Sequence, residues 1–241
     1  MSPLREFRAW TVRYEEEVIV EPLRRYYLIF EGANTERKYF QGIEDYRKEL
    51  GINSYIELVI LHKEGEIRSF SHPSKLLELI DEKKKALKRD AKFDKEIDRF
   101  VIVFDRDSYE DQADYLEFIE KANEGNILTV TSPCFELWLI LHYENAIENY
   151  IMPNREKLLK NEKVSRAHTF ASNLFSEISG TNPKSGTFFK KLKAYVDLAI
   201  EQEKGLEQDI REMADNLGSN VGMLIEQMRE DPRDVLKESL R

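Results

Sequence analysis

Four short, nearly continuous apolar runs, separated by amphipathic stretches, restrict what this chain can fold into. They occupy residues 26–30 (YYLIF), 55–61, 100–104 (FVIVF) and 127–130. Runs of this length without in-and-out alternation predict strands covered on both faces. The stretches between them carry apolar residues at helical spacing. Tyr39, Phe40, Ile43, Tyr46 and Leu50 do so in a segment that Asn34 or Thr35 can cap and Gly51 ends. Leu76, Leu77, Ile80 and Leu87 follow Pro73 in a helix expected to reach about residue 91, and Tyr115, Leu116 and Ile119 mark a helix over 111–122 that Gly125 stops. Strand and helix alternating in this way argue for a mostly parallel sheet of about four strands flanked by helices.

The remaining pattern sets the expected domain organisation. Residues 1–20 mix aromatic, basic and acidic residues and read as an N-terminal arm, with strand character in Val18-Ile19-Val20 before Pro22. Residues 21–150 form the α/β domain. Ser132 and Pro133 make a good helix start for an apolar helix over 135–143. Residues 151–241 read as a helical C-terminal region packed on the sheet, with helices over 156–160, 170–178, 188–203 and 206–229. Breaks fall at 182–186 and at Asp231-Pro232. The stretch 81–99, dense in both charge signs, reads as a solvated helix face.

Composition excludes several classes. No stretch approaches the roughly 20 apolar residues of a membrane span, and the N-terminus leads into no signal-peptide core. The single cysteine, Cys134, precludes an internal disulfide, and four histidines argue against a structural zinc cluster. A soluble protein with a cytoplasmic location is expected. The formal charge of -9 across 241 residues is unlike that of a nonspecific nucleic-acid binder. No Gly-x-x-x-x-Gly-Lys loop is present, so the chain is not expected to be an ATPase itself.

Two of the apolar runs end in acid. The first runs into Glu31-Gly32, and the third into Asp105-Arg106-Asp107. In a parallel sheet, ligands gather at the carboxyl ends of strands. Asp105 and Asp107, two apart, point the same way while the backbone stays extended. Glu36, near the start of the first helix, could turn back toward Glu31. Such a convergence suits Mg2+ or Mn2+, hard cations that favour carboxylate oxygen. Without a cation, two carboxylates about 4 Å apart repel by roughly 4 kcal/mol at an effective dielectric near 20. Taken singly, each acid also has an ordinary reading as a turn or cap residue.

Glu136, early in the apolar helix, would either ligate metal or pair with an arginine if buried. His142 reads more readily as a hydrogen-bonded core residue than as a catalyst, and Cys134 as a packing residue. Asn220-Val221-Gly222 is a small-residue turn before a helix; its N–H groups could bind phosphate, although a plain helix-helix turn is the simpler reading. Basic candidates for phosphate contacts are Arg106, Lys63, Arg166, His168, Lys184, Lys190 and Lys191, each also explicable as a surface residue.

Three segments in this order carry a resemblance: Glu31-Gly32 with Thr35-Glu36 and Tyr39-Phe40, then Val103 to Asp107, then Ser132 to His142 with Pro133-Cys134-Phe135-Glu136-Leu137-Trp138 at its centre. Together they resemble the RloB-like proteins over about residues 26–228. Two departures are visible. Thr131-Ser132 stands where the family has Asn, and Ser219-Asn220-Val221-Gly222 stands in place of its Asn-Pro-Ser-Thr segment.

The resemblance implies a Toprim-like fold and a place in prokaryotic anti-phage defence or abortive infection. It implies a nuclease that uses Mg2+ or Mn2+, nucleic acid (DNA or RNA) as substrate, and an ABC/AAA-type ATPase encoded nearby as partner; self-association into a homo-oligomer is left open. Carried over residue by residue, Glu31, Asp105 and Asp107 are the expected catalytic residues. Glu31, Glu36, Asp105, Asp107 and Glu136 make up the expected metal set, Glu136 as a family signature position. His142, another such position, and Arg106, from its place between the two aspartates, are candidates toward substrate. The alternative is a noncatalytic metal- or nucleotide-binding module of a defence ATPase.

Overall fold

The structure, a computed structural model, describes residues 24–32, 34–61, 73–90, 93–109, 111–166, 168–181 and 188–231. The expected N-terminal arm, Lys63, Lys184 and the break at 182–186 lie outside these residues.

Strand β1 (Arg24–Phe30) is followed by α1 (Thr35–Asp45), β2 (Ile56–Ile60), α2 (Pro73–Arg89), β3 (Arg99–Asp105), α3 (Gln112–Ala122) and β4 (Ile127–Ser132). The sheet order is β2-β1-β3-β4-β5, with the first four strands parallel and β5 (Gly218–Ser219) antiparallel to β4. The expected α/β class, mostly parallel sheet, flanking helices and C-terminal helical region are all present. The sheet has five strands among the described residues, not about four.

The continuous apolar runs work because both sheet faces are covered. Tyr26, Leu28, Phe30, Val101 and Val103 pack with α1, α4 (Glu136–Ile140), α6 (Phe170–Ser179), α7 (Phe188–Leu192), α8 (Val196–Glu203) and α9 (Val221–Glu230) in one core. The alternate residues, Tyr27, Ile29, Phe100, Ile102 and Phe104, pack with α2 and α3 in the other. Period-two alternation therefore sorts the side chains between two cores rather than between core and water.

Chain order turns back on itself between β1 and β3. From β1 the chain moves outward to β2, then returns across β1 to β3. In open α/β sheets such a switch point, beyond the carboxyl ends of the strands, is where ligands bind. Phe30 pairs with Val103, and the N–H of Glu31 donates to the Val103 carbonyl at 2.9 Å.

Three elements differ from expectation. Helix α1 ends at Asp45, and turns carry the chain to Gly51 (φ 78°). Glu44 and Asp45 oppose the negative end of the helix dipole, no basic residue lies within that last turn, and Arg47 just beyond it pairs with Glu44 at 2.5 Å. Helix α4 starts at Glu136 rather than at Pro133: Ser132 belongs to β4, where it pairs with Gly218, and the Ser132-Pro133 peptide is cis. Residues 206–229 are not one helix. A turn of 3-10 helix (Glu212–Ala214) and β5 precede α9. Gly218 makes this possible, since a Cβ there would stand 2.4 Å from the Glu207 carbonyl oxygen and 2.7 Å from Met213 Cγ. Asn220 completes the edge: its Oδ1 accepts from Val130 N–H at 2.7 Å, and its Nδ2 donates to Leu128 O at 3.0 Å.

Candidate metal centre

Glu31 and Asp105 sit at the carboxyl ends of adjacent strands, so the sheet alone brings them together at the switch point. Glu31 is buried, as is Glu36 in the first turn of α1. Gly32 explains how Glu36 reaches inward. A Cβ on Gly32 would lie 2.3 Å from Glu36 Oε1 and 2.6 Å from Oε2. The Glu-Gly pair thus leaves room for a second carboxylate to lie over the strand end.

Asp105 is the electrostatic centre of the group. Burial, followed by the charges of Glu36, Asp107, Glu136 and Glu31, pushes its carboxyl well above the ordinary carboxylate range. The other four acids expected from the sequence therefore all act on Asp105. The Thr131 hydroxyl donates to Asp105 Oδ1 at 3.4 Å.

Asp107 arrives differently from the expected extended alternation. Strand β3 ends at Asp105, and Arg106–Ser108 form a turn of 3-10 helix. The Asp107 N–H donates to the Pro133 carbonyl at 3.0 Å, tying this turn to the link before α4. Its carboxylate accepts from Asn161 Nδ2 at 2.6 Å. Although the residue is exposed as a whole, burial of its carboxylate side pushes the pKa up to about 6. The Asn161 bond and Arg106 oppose this shift, while Glu136 adds to it.

Asn161 is a member of the site that the sequence reading missed. It ends α5 (Arg155–Lys160) in the left-handed region at φ 40°, where asparagine is tolerated. Its Nδ2 also reaches Cys134 Sγ at 3.3 Å, and its Oδ1 accepts from Ala171 N–H at 2.9 Å. The only sequence signal was a helix-terminal Asn, which says nothing of what the amide would touch. Cys134 is buried, and burial together with Glu136, Asp107 and Asp105 raises its thiol well above the ordinary value. It remains a protonated packing group.

Two residues expected near substrate are held elsewhere. Arg106 donates from Nε to Ala214 O at 3.0 Å and from Nη1 to Tyr109 O at 3.1 Å, and its guanidinium lies 5.0 Å from the Tyr115 ring centre. It fastens the Asp105–Asp107 turn to the C-terminal region. His142 is buried between Tyr39 and Trp138, with ring nitrogens 3.0 Å from Tyr39 Oη and 3.1 Å from Trp138 O. Burial lowers its pKa to about 4, so the ring is neutral at pH 7. It holds α4 against α1. The turn at Asn220-Val221-Gly222 is likewise engaged: Glu203 Oε1 accepts from Gly222 N–H at 3.0 Å, and Oε2 accepts from Met223 N–H at 3.3 Å. A side-chain carboxylate, not a phosphate, fills that helix start.

The donor set suits a hard divalent cation. It is all carboxylate, it acts on an Asp105 whose anion is disfavoured, and it lies where α/β sheets bind ligands. Among the described residues no three His, Cys, Asp or Glu side chains already stand at ligand spacing. The glutamates, each with three rotatable side-chain bonds, would have to close that gap on binding.

Residues 26–228 match the sequence model of the family described as RloB-like protein. The chain belongs to that family. No curated protein and no solved structure matches it. The matched span of this RloB-like protein begins in β1 and ends in α9, so it takes in both sheet cores and every acid described above. Among the described residues no helix is long and apolar enough to cross a membrane.

Proposed function

We propose that this RloB-like protein is a Mg2+- or Mn2+-dependent phosphodiesterase of Toprim type, a nuclease acting on DNA or RNA in anti-phage defence beside an ABC/AAA-type ATPase. One observation carries the reading: five acids from four separate chain segments gather at the switch point of a parallel sheet, around an Asp105 that burial and like charge disfavour as an anion. Such an arrangement is costly unless a cation compensates it. The defence setting and the ATPase rest on family membership and on the resemblance set out above.

In this reading Asp105, Asp107 and Glu36 hold the metal, with Glu136 completing the set. A bound divalent cation supplies Lewis-acid polarisation of the scissile phosphate and charge stabilisation at the leaving oxygen. Glu31, buried at the end of β1, takes and returns the proton. Asn161 and Thr131 orient Asp107 and Asp105 by hydrogen bonds. Arg106 and His142 support the scaffold.

The test is metal-dependent cleavage of DNA and RNA by the purified chain, alone and with the ATPase. Glu31→Gln and Asp105→Asn are expected to abolish cleavage while leaving the protein folded. Metal binding with no cleavage under either condition would favour the noncatalytic module instead.

A further inference from the structure

The opposite end of the sheet carries a feature unlike the acidic site. A cleft of about 460 Å3 opens at the amino ends of β3 and β4, between α2 and the loop leading into β3. Lys84, Lys88, Lys95 and Arg99 line it, against one lining carboxylate, Asp98. Asp98 is already engaged, accepting from the backbone N–H groups of Arg25 and Asp94 at 2.9 Å each. At the rim Glu96 lies 3.3 Å from Lys95, a solvent-screened pair. Lys88 has no ion pair among the described residues. In a chain of net charge -9 this is a local reversal of sign.

The cations are arranged over an aromatic floor. Lys84 Nζ lies 5.3 Å from the Phe100 ring centre and 3.3 Å from the Gly125 carbonyl oxygen. Phe93 packs edge-on against Phe100 and keeps part of its ring accessible. Arg99 spends Nη1 on the carbonyls of Glu96, Ile97 and Asp98. Several cations set around one cavity suit a multiply charged phosphate chain better than a single carboxylate. The exposed part of Phe93 offers an apolar surface beside them on which a planar base can stack. The volume lies in the range of small-molecule sites.

We propose that this cleft binds a nucleoside polyphosphate, its phosphates on Lys84, Lys88, Lys95 and Arg99 and its base against Phe93. It is separate from the acidic site, because β3, about 20 Å long at 3.3 Å per residue, lies between them.

The test is calorimetric titration of the full chain in EDTA, which keeps divalent metal off the acidic site. The probes are adenosine triphosphate, inorganic triphosphate and a single-stranded oligonucleotide. Adenosine triphosphate is expected to bind at one site, about tenfold more tightly than inorganic triphosphate, and more weakly as salt rises. Lys88→Glu with Lys95→Glu, both exposed and therefore compatible with folding, should weaken it by about tenfold or more. Lys121→Glu, outside the cleft on α3, should change nothing. No saturable binding at millimolar concentration, or binding indifferent to the double reversal, would overturn the site. Equal affinity for inorganic triphosphate, or saturable binding of the oligonucleotide alone, would overturn the nucleotide assignment.

Discussion

Asp105→Asn should stabilise the metal-free protein while removing its response to metal. The carboxyl of Asp105 is pushed up by burial and by Glu36, Asp107, Glu136 and Glu31, so folding disfavours its charged form. A close carboxylate pair costs roughly 4 kcal/mol at an effective dielectric near 20 and about 1 kcal/mol in bulk water. Asp105 keeps partial exposure, and the asparagine still occupies the space, so a gain of about 1–2 kcal/mol is expected. For a chain of this size that is a rise of about 2–8 °C in Tm.

The sign with pH follows from the raised pKa. Between the unfolded aspartate value, near 3.9, and the folded value, the folded chain keeps a proton that the unfolded chain has released. Stability is therefore greatest below that window and falls as pH rises through it, through about 6 where Asp107 titrates. The assay is differential scanning calorimetry in EDTA at pH 5 and 7.5, then with Mn2+. Wild type should gain about 2.7 kcal/mol with metal at 100 times Kd, and Asp105→Asn should gain little. A lower Tm for the metal-free variant, or an undiminished metal response, would refute the reasoning.

Other perturbations probe the scaffold. Gly32→Ala should leave the fold intact but displace the Glu36 carboxylate, weakening Mn2+ affinity by about tenfold or more in calorimetric titration. Glu203→Ala strands the Gly222 and Met223 N–H groups at the start of α9, and a loss of about 1–3 kcal/mol is expected in urea unfolding. Burial raises the Glu203 pKa to about 7, so the same variant should also flatten the fall in wild-type stability between about pH 4 and 7. Asp231→Ala leaves Arg24 buried without the carboxylate that now sits 2.5 Å away, and should cost about 3–5 kcal/mol by the same measurement.

The parts of this fold that could be read from sequence are those with a period. The four parallel strands showed because each is a run of apolar residues serving two cores at once, and the order of elements then put Glu31 and Asp105 at one sheet edge. Strand β5 is two residues long and has no period. It pairs because Gly218 permits close approach and Asn220 substitutes its amide for backbone partners. Pro133 at a supposed helix start misled for a local reason: its peptide carbonyl accepts from Asp107 N–H while Ser132 stays in the sheet. Asn161 was out of reach, since its contact with Asp107 spans 54 residues and depends on the packing of α5 and α6. Arg106 and His142 looked functional by sequence neighbourhood, whereas Arg106 Nε and Nη1 and both ring nitrogens of His142 are engaged by the scaffold.

Cleavage by the Glu31→Gln variant tests the central claim most directly. With Mn2+ and nucleic acid present, and with the proposed ATPase partner added, the wild-type chain should cut. The variant should bind metal, melt cooperatively and leave the substrate intact. A variant that cuts at the wild-type rate would contradict the account.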